Sequence, residues 1–212
     1  DEVVLLSARV IIRHATKYDY CFVPCCLSVL PMVDELIILC DPSSEDDTVD
    51  VCEQLARDHG KVQVHMSEWW VSDRHRWALS DATNAAIELC QGDYFFYIQA
   101  DEVLKEETPG ILRGIAEEGQ CDVVDFGHLH FWGSFDRIFG HGERGGRHYC
   151  RLRMARRSLY PRVRSWEDGA TLLDTDSILD DCPYSLVTRE RMQKQFKVKS
   201  VTNTVRLFHY GS

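Results

Sequence analysis

Two apolar runs in this chain end in acids. ELIILC stops on Asp41, and YFFYIQA runs into Asp101 and Glu102. Short apolar runs closed in this way read as buried strands. In an open parallel sheet, ligands bind in the crevice outside the carboxyl ends of the strands, so acids at two such ends would share that crevice. A hard cation such as Mg2+ or Mn2+ takes oxygen ligands, often one or two carboxylates plus phosphate oxygens. The pattern points to a nucleotide diphosphate held through a divalent ion. Strand-end acids also cap turns and helices, and that plainer role is expected for Asp46 and Asp47. It is not expected for Asp101, which with Glu102 follows an apolar run directly.

Other chemistry-bearing residues give weaker signals. His128 and His130 share one face of a predicted strand and imitate a metal pair, but no third ligand lies near them, so structural or acceptor-cleft roles are expected. Trp69, Trp70 and Trp77 have the faces to stack on a sugar or base, although tryptophans also fill cores and edges. Eight arginines, Arg144, Arg147, Arg151, Arg153, Arg156, Arg157, Arg162 and Arg164, fall in one stretch with only Glu143 beside them. The net charge of -10 repels phosphate backbones overall. The stretch is therefore either a local patch for an anionic substrate or a solvated basic face. Nine cysteines form no C-x-x-C pair, and several sit in apolar runs such as IILC. They read as small core residues in a reducing, cytoplasmic compartment, with no zinc site. No P-loop or GxSxG occurs, which argues against P-loop kinases and serine hydrolases, and the GxGxxG spacing of GHGERG falls in a loop-like stretch rather than between a strand and a helix, where a dinucleotide fingerprint would lie.

The elements that would position these residues alternate. VVLLSARVII is a strand-like opening, residues 21–30 have helical length before Pro31, and DELIILCD is a second strand. PSSEDDTVDVCEQLARDHG carries Ser and Asp caps, acids in the first turn and a closing Gly60. KVQVHM alternates as a strand. Residues 77–91 read as a helix ending at Gly92, DYFFYIQAD as a buried strand, 106–118 as a helix and DVVDFGHLHFW as a long strand. GSFDRIFGHGERGG reads as a loop rich in Gly and charge. HYCRLRMARR alternates again, and VRLFHYGS closes the chain.

Strand and helix in turn imply βαβ units and a largely parallel sheet. The chain has 212 residues, 44% hydrophobic and 27% charged, which suits one α/β domain rather than two. No apolar run reaches the ~20 residues of a membrane span, and the acidic opening is not expected to be a cleavable signal.

VIIRHATKYDY, VDELIILCDPSSEDDT and TNAAIELCQGDYFFYIQADEVL together resemble the family 2 glycosyltransferases of the GT-A fold. That family orders a strand with a donor-binding loop, a strand ending in Asp, a helix carrying Asn, a Gly-Asp turn and a buried strand ending in a D-x-D metal motif. The resemblance is best over residues 5–135, and the closing HYG is similar to the family's carboxyl-terminal histidine. It implies a single GT-A domain, a central mostly parallel mixed sheet flanked by helices, with a donor half at 1–105 and an acceptor half at 106–212.

It also implies roles. Asp41 would contact the donor base or ribose, and Arg13, Tyr18 and Asp19 would close over the nucleotide. Asn84 would sit near the donor pocket. Asp101 would hold Mn2+ or Mg2+, with Glu102 or a water assisting, and His209 would be a late metal or diphosphate ligand. Arg151 or Arg153 would supplement the metal, because a guanidinium binds phosphate bidentately. An inverting transfer needs a general base, for which Asp168 in SWEDGA is the first choice and Glu167 the second; an ordinary Asp-Gly turn is the alternative. One departure stands out: the first acid of D-x-D is Gln99, so contacts there differ and metal binding rests more on Asp101.

The expected reaction moves a sugar from a UDP- or GDP-linked donor to a hydroxyl on a polysaccharide, lipid-linked sugar, protein, small molecule or modified DNA base. A non-catalytic nucleotide-binding module and a nucleotidyltransferase are the alternatives, although the Gly-rich, Lys-bearing signature expected of the latter is missing at the first strand.

Overall fold

The opening run forms β1 (Leu6–Ile12), and all seven of its residues are buried. Burial on both faces places a strand at the centre of a sheet covered on each side. β2 (Glu35–Cys40) lies parallel on one side of β1, with Ile12 opposite Cys40. β3 (Val62–Met66) lies parallel beyond it. β4 (Tyr94–Tyr97) lies parallel on the other side of β1, with Arg9 opposite Tyr97. The crossovers contain α1 (Phe22–Val29), α2 (Thr48–Asp58) and α3 (His75–Leu89). The chain thus builds outward from β1 to β3, then returns to the far side of β1. The strand order reverses between β1 and β4, which is where such sheets bind ligands.

The computed structural model describes residues 3–70, 75–131, 151–166, 172–176, 186–201 and 206–209, with backbone alone at 75–76, 128–130, 151, 186–189 and 206–209. Beyond β4 the sheet becomes mixed. β5 (Glu102–Leu104) and α4 (Thr108–Glu118) come next in the chain, then β6 (Val123–His130) and β7 (Arg151–Arg156). β7 is antiparallel to both β4 and β6. After β8 (Val163–Ser165) and β9 (Leu172–Asp174), a separate antiparallel ribbon, follow α5 (Leu186–Gln195), β10 (Val198–Ser200) and β11 (Arg206–His209). β10 and β11 both run parallel to β6 at successive positions along it, and β11 pairs antiparallel with β5. Among the described residues this gives nine strands in order β3-β2-β1-β4-β7-β6-β11-β5, with β10 also on β6. The expected single α/β domain with a mixed sheet is observed.

Local departures have physical reasons. The strand expected over DYFFYIQAD stops at Tyr97, because the chain turns at Gln99 to begin β5. The helix expected at 77–91 starts at His75 and ends at Leu89. Gly92 does not cap it in a left-handed conformation; it allows a close approach. A Cβ there would lie 2.6 Å from Ser7 Oγ, 2.7 Å from Ser7 N and 2.9 Å from Leu5 O. The Gly92 N–H donates to Ser7 Oγ over 2.8 Å, tying the start of β4 to β1. Gly119, by contrast, does end α4 at φ 61°, donating to the carbonyls of Ile115 and Ala116. The Gly-rich loop expected over 133–146 lies outside the described residues.

Gly92→Ala should lower the unfolding free energy by about 1–3 kcal/mol, since the clash is with backbone. Gly114→Ala, inside α4 with open space for a Cβ, should leave it unchanged or raise it by up to about 1 kcal/mol. Urea denaturation of the two variants measures the contrast.

Candidate active site

A hollow of about 400 Å³ opens at the carboxyl ends of β1 and β4. Its walls come from three strand-tip loops and one helix. The loop after β1 supplies Arg13, His14, Tyr18 and Tyr20, the segment after β3 supplies Trp69 and Trp70, and α3 supplies Leu79. Tyr97, Gln99, Ala100 and Asp101 from the end of β4 complete it. The wall is largely aromatic, with Trp69 and Trp70 edge to face at 6.0 Å and Arg13 5.9 Å from the Trp70 ring. Flat rings beside a guanidinium suit a ligand that carries a planar base and negative charge.

The turn that presents Asp101 is held from beneath. Glu102 N donates to Gln99 O over 3.0 Å, closing a four-residue turn. The Glu102 side chain folds back under it, where Oε2 accepts from Gln99 N at 2.8 Å and Oε1 accepts from Arg153 Nη2 at 2.8 Å. Glu102 and Arg153 are both fully buried. The two adjacent acids therefore divide the work: Glu102 supports the turn, and the partly exposed Asp101 lines the hollow. Burial first, and then the Asp101 carboxylate, push the Tyr20 hydroxyl and the Cys21 thiol up, the latter to about 11. Both stay protonated at neutral pH, and the buried Cys25 thiol is raised as well. This wall offers no thiolate nucleophile.

Arg153 does not reach the hollow as a phosphate clamp. Its guanidinium is enclosed, donates to Glu102 and Gln99, and stacks 5.0 Å from the Tyr97 ring. A second buried guanidinium, Arg9, stacks on the same ring at 5.1 Å and donates to Thr83 O and Ser165 Oγ. Burial lowers Arg9 to about 10, so it remains charged at neutral pH. Tyr97, which lines the hollow, is thus flanked by two cations, and burial pushes its hydroxyl up to about 12. Sequence reading missed Arg9; an arginine amid the apolar residues of LLSARVII was the available signal.

Asp41 is fully buried at the tip of β2. Oδ1 accepts from the Ser43 N–H at 2.9 Å and the Ser43 hydroxyl at 2.7 Å, while Oδ2 accepts from Trp70 N at 3.1 Å. Arg13 Nε lies 3.8 Å from Oδ2. Asp41 does not itself line the hollow but fixes two residues that do. Asp46 sits beside it as a cap, accepting from Thr48 N, Thr48 Oγ1 and Lys17 N. Thr48 Oγ1 in turn accepts from Ala15 N. Tyr18 is 56% exposed at the rim. Asp19, at φ 52°, turns the chain there and is not among the lining residues.

Asn84 is spent on structure. Its Nδ2 donates to Ser165 O at 3.0 Å and its Oδ1 accepts from Ser165 N at 2.8 Å, pinning β8 to α3. Trp166 follows and packs edge to face on Trp77 at 5.1 Å. Glu167 and Asp168 come next in the chain and lie outside the described residues. The backbone of His209 pairs opposite Glu102, so its Cα lies one residue from Asp101 in register. Among the described residues, no group of three or more His, Cys, Asp or Glu side chains is arranged to hold a metal ion.

The expected arginine patch resolves mostly into internal clamps. Arg156 donates to the carbonyls of Cys121 and Gly119 and pairs with Asp122. Arg157 donates to Cys90 O at the end of α3, and Arg162 pairs with Asp174. Arg144 and Arg147 lie outside the described residues. Seven described cysteines are free thiols, and no described helix is long and apolar enough to cross a membrane.

Glu102→Ala leaves a wholly buried guanidinium without its carboxylate and should cost about 3–5 kcal/mol of stability. Asp101→Asn, at the partly exposed wall, should change stability by less than about 0.5 kcal/mol. Equilibrium urea titrations of both variants check the division of labour between these neighbouring acids.

Comparison with known proteins agrees with this architecture. Two solved structures of S. aureus TarS residues 1–349 are similar in fold. The complex with UDP-GlcNAc has a TM-score of 0.63 at 13% identity, and the complex with UDP has 0.64 at 14%. Each covers 98% of this chain, which spans only 59% and 61% of those chains. No curated protein sequence matches the chain. The family model described as glycosyl transferase family 2 matches residues 23–171, a span that runs from α1 past the Gln99–Glu102 turn and through β8, and on that match the chain belongs to glycosyl transferase family 2.

Proposed function

We propose that the chain transfers a sugar from a nucleoside diphosphate sugar to an acceptor hydroxyl, with residues 1–105 forming the donor half and 106–212 the acceptor half. One observation carries this reading. Asp101 is held at the rim of an aromatic hollow at the strand-order reversal, while its neighbour Glu102 is turned away to hold it there. The TarS structures with UDP-GlcNAc and UDP support the donor class.

In this reading Trp70 and Tyr18 flank the base, and Asp41 acts indirectly by fixing Trp70 and Arg13. Arg13 faces the donor's negative charge. Asp19 shapes the loop that carries Tyr18, and Asn84 is a positioning residue for the segment that leads through Trp166 to Glu167 and Asp168. Arg153 is likewise a positioning residue, acting through Gln99 and Glu102.

The described residues fit a Mn2+ or Mg2+ that arrives with the diphosphate better than one in a cage built by the protein. Asp101 would be its carboxylate ligand, and His209, whose backbone pairs opposite the neighbouring Glu102, a second. Such an ion, when bound, would offset charge on the departing diphosphate. Asp168, or Glu167 in its place, would take the proton of the acceptor hydroxyl as its oxygen bonds to the sugar's anomeric carbon and the bond to the diphosphate breaks. The acceptor remains a hydroxyl on a polysaccharide, lipid-linked sugar, small molecule or modified DNA base. The free thiols support a cytoplasmic setting.

A thermal-shift screen of UDP- and GDP-sugars with and without Mn2+ tests the donor, because a ligand that binds only the folded protein raises its melting point. Asp101→Asn should reduce metal-dependent transfer or donor hydrolysis by about 100-fold or more, with the melting point of the unliganded protein unchanged. Full activity in that variant would remove the metal assignment. Donor turnover by the wild type rejects a purely binding role, and release of pyrophosphate from a nucleoside triphosphate with a sugar phosphate would point to nucleotidyl transfer instead.

A further inference from the structure

Gln99 is fixed on every side but one. Its N–H donates to Glu102 Oε2 at 2.8 Å, and its carbonyl accepts from Glu102 N at 3.0 Å and from Cys25 Sγ at 3.2 Å. Its side-chain Oε1 accepts from Arg153 Nη2 at 3.1 Å. Arginine has five donors and no acceptor. The amide oxygen must therefore face Arg153, and the orientation is set by chemistry rather than by choice between O and N. Arg153 cannot turn away, because it is fully buried and shares the same Nη2 with Glu102. That leaves the Gln99 Nε2 end. Among the described residues it meets no acceptor, it is not one of the buried unpartnered atoms, and Gln99 lines the hollow. A donor of locked orientation faces the space where a ligand binds.

We infer that Gln99 is a specificity-determining residue that reads an acceptor-only oxygen of the donor substrate, a phosphate oxygen or an amide carbonyl on the sugar. A carboxylate at this position would accept from ligand hydroxyls; the locked amide does the opposite and donates. The buried charge beneath it favours the same ligand, since Arg9 and Arg153 are both fully buried against the Tyr97 ring, and among the described residues Arg9 Nη1 and Arg153 Nε and Nη1 meet no hydrogen-bond partner. A site built to donate rejects a ligand that lacks the acceptor, because its own group is then left unpaired. The inference rests on the proposed nucleotide-sugar reading.

The test is calorimetric binding of UDP and UDP-N-acetylglucosamine, with and without Mn2+, to the wild type, Gln99→Glu and Gln99→Met. Both replacements keep the length of the side chain, and a cooperative melting transition of each unliganded variant establishes that it folds, with Gln99→Met melting somewhat lower because it takes an acceptor from buried Arg153. Gln99→Met should weaken binding by about tenfold, the loss expected for a hydrogen bond to a charged or strongly polar oxygen. Gln99→Glu should weaken it further by setting a carboxylate against that oxygen. Loss with both ligands identifies a phosphate oxygen, and loss with UDP-N-acetylglucosamine alone identifies the sugar's carbonyl. Wild-type binding that is retained in both variants overturns the inference and leaves the donor reading standing. Failure of the wild type to bind either ligand, or the GDP counterparts, overturns both.

Discussion

The buried contact between Arg153 and Glu102 is the constraint on which the site depends. Taking two charges out of water is costly, and a pair repays that cost only when geometry and further hydrogen bonds are good. Here the further bonds are those that make the turn: Glu102 also accepts from Gln99 N, and Arg153 also donates to Gln99 Oε1. The ion pair and the turn are one unit. Its effect is to aim Asp101 outward, at the reversal of strand order, where the sheet leaves a crevice.

The opposite wall is held by a different device. The loop after β1 has two residues at positive φ, His14 at 53° and Asp19 at 52°. It is fastened to the loop before α2 by Ala15 N to Thr48 Oγ1, Lys17 N to Asp46 Oδ2, and Glu45 N to His14 Nδ1. Asp41 extends this fastening to Trp70 across β2 and β3. Few of these bonds need an apolar core. They let strand-tip loops, which would otherwise be mobile, hold aromatic side chains at fixed places around the hollow.

Charge in this protein is managed by enclosure more than by display. Arg9 and Arg153 flank Tyr97 in the sheet, and Arg156 and Arg157 donate to carbonyls just beyond the carboxyl ends of α4 and α3. Cations at helix carboxyl termini also meet the negative end of the helix dipole. The described arginines Arg153, Arg156, Arg157 and Arg162 therefore supply structural donors rather than an exposed basic face.

The sequence by itself determined the alternation of strand and helix, the burial of β1 and β4, and the position of acids at strand tips. These follow from local periodicity and from apolar runs that must leave water, so LSARVII, ELIILC and YFFY are legible without coordinates. What only the tertiary structure decided is which polar side chain faces which way. Asp101 and Glu102 are adjacent and chemically alike, yet one lines the hollow and the other is sealed beneath it, because Arg153 lies 51 residues further along the chain and on the inner side of the turn. Asn84 is taken up by Ser165, 81 residues away, and Asp41 by Trp70, 29 residues away. A hydrogen bond across such a distance leaves no local pattern, since its partner is chosen by strand order and register, and these exist only once the sheet has assembled.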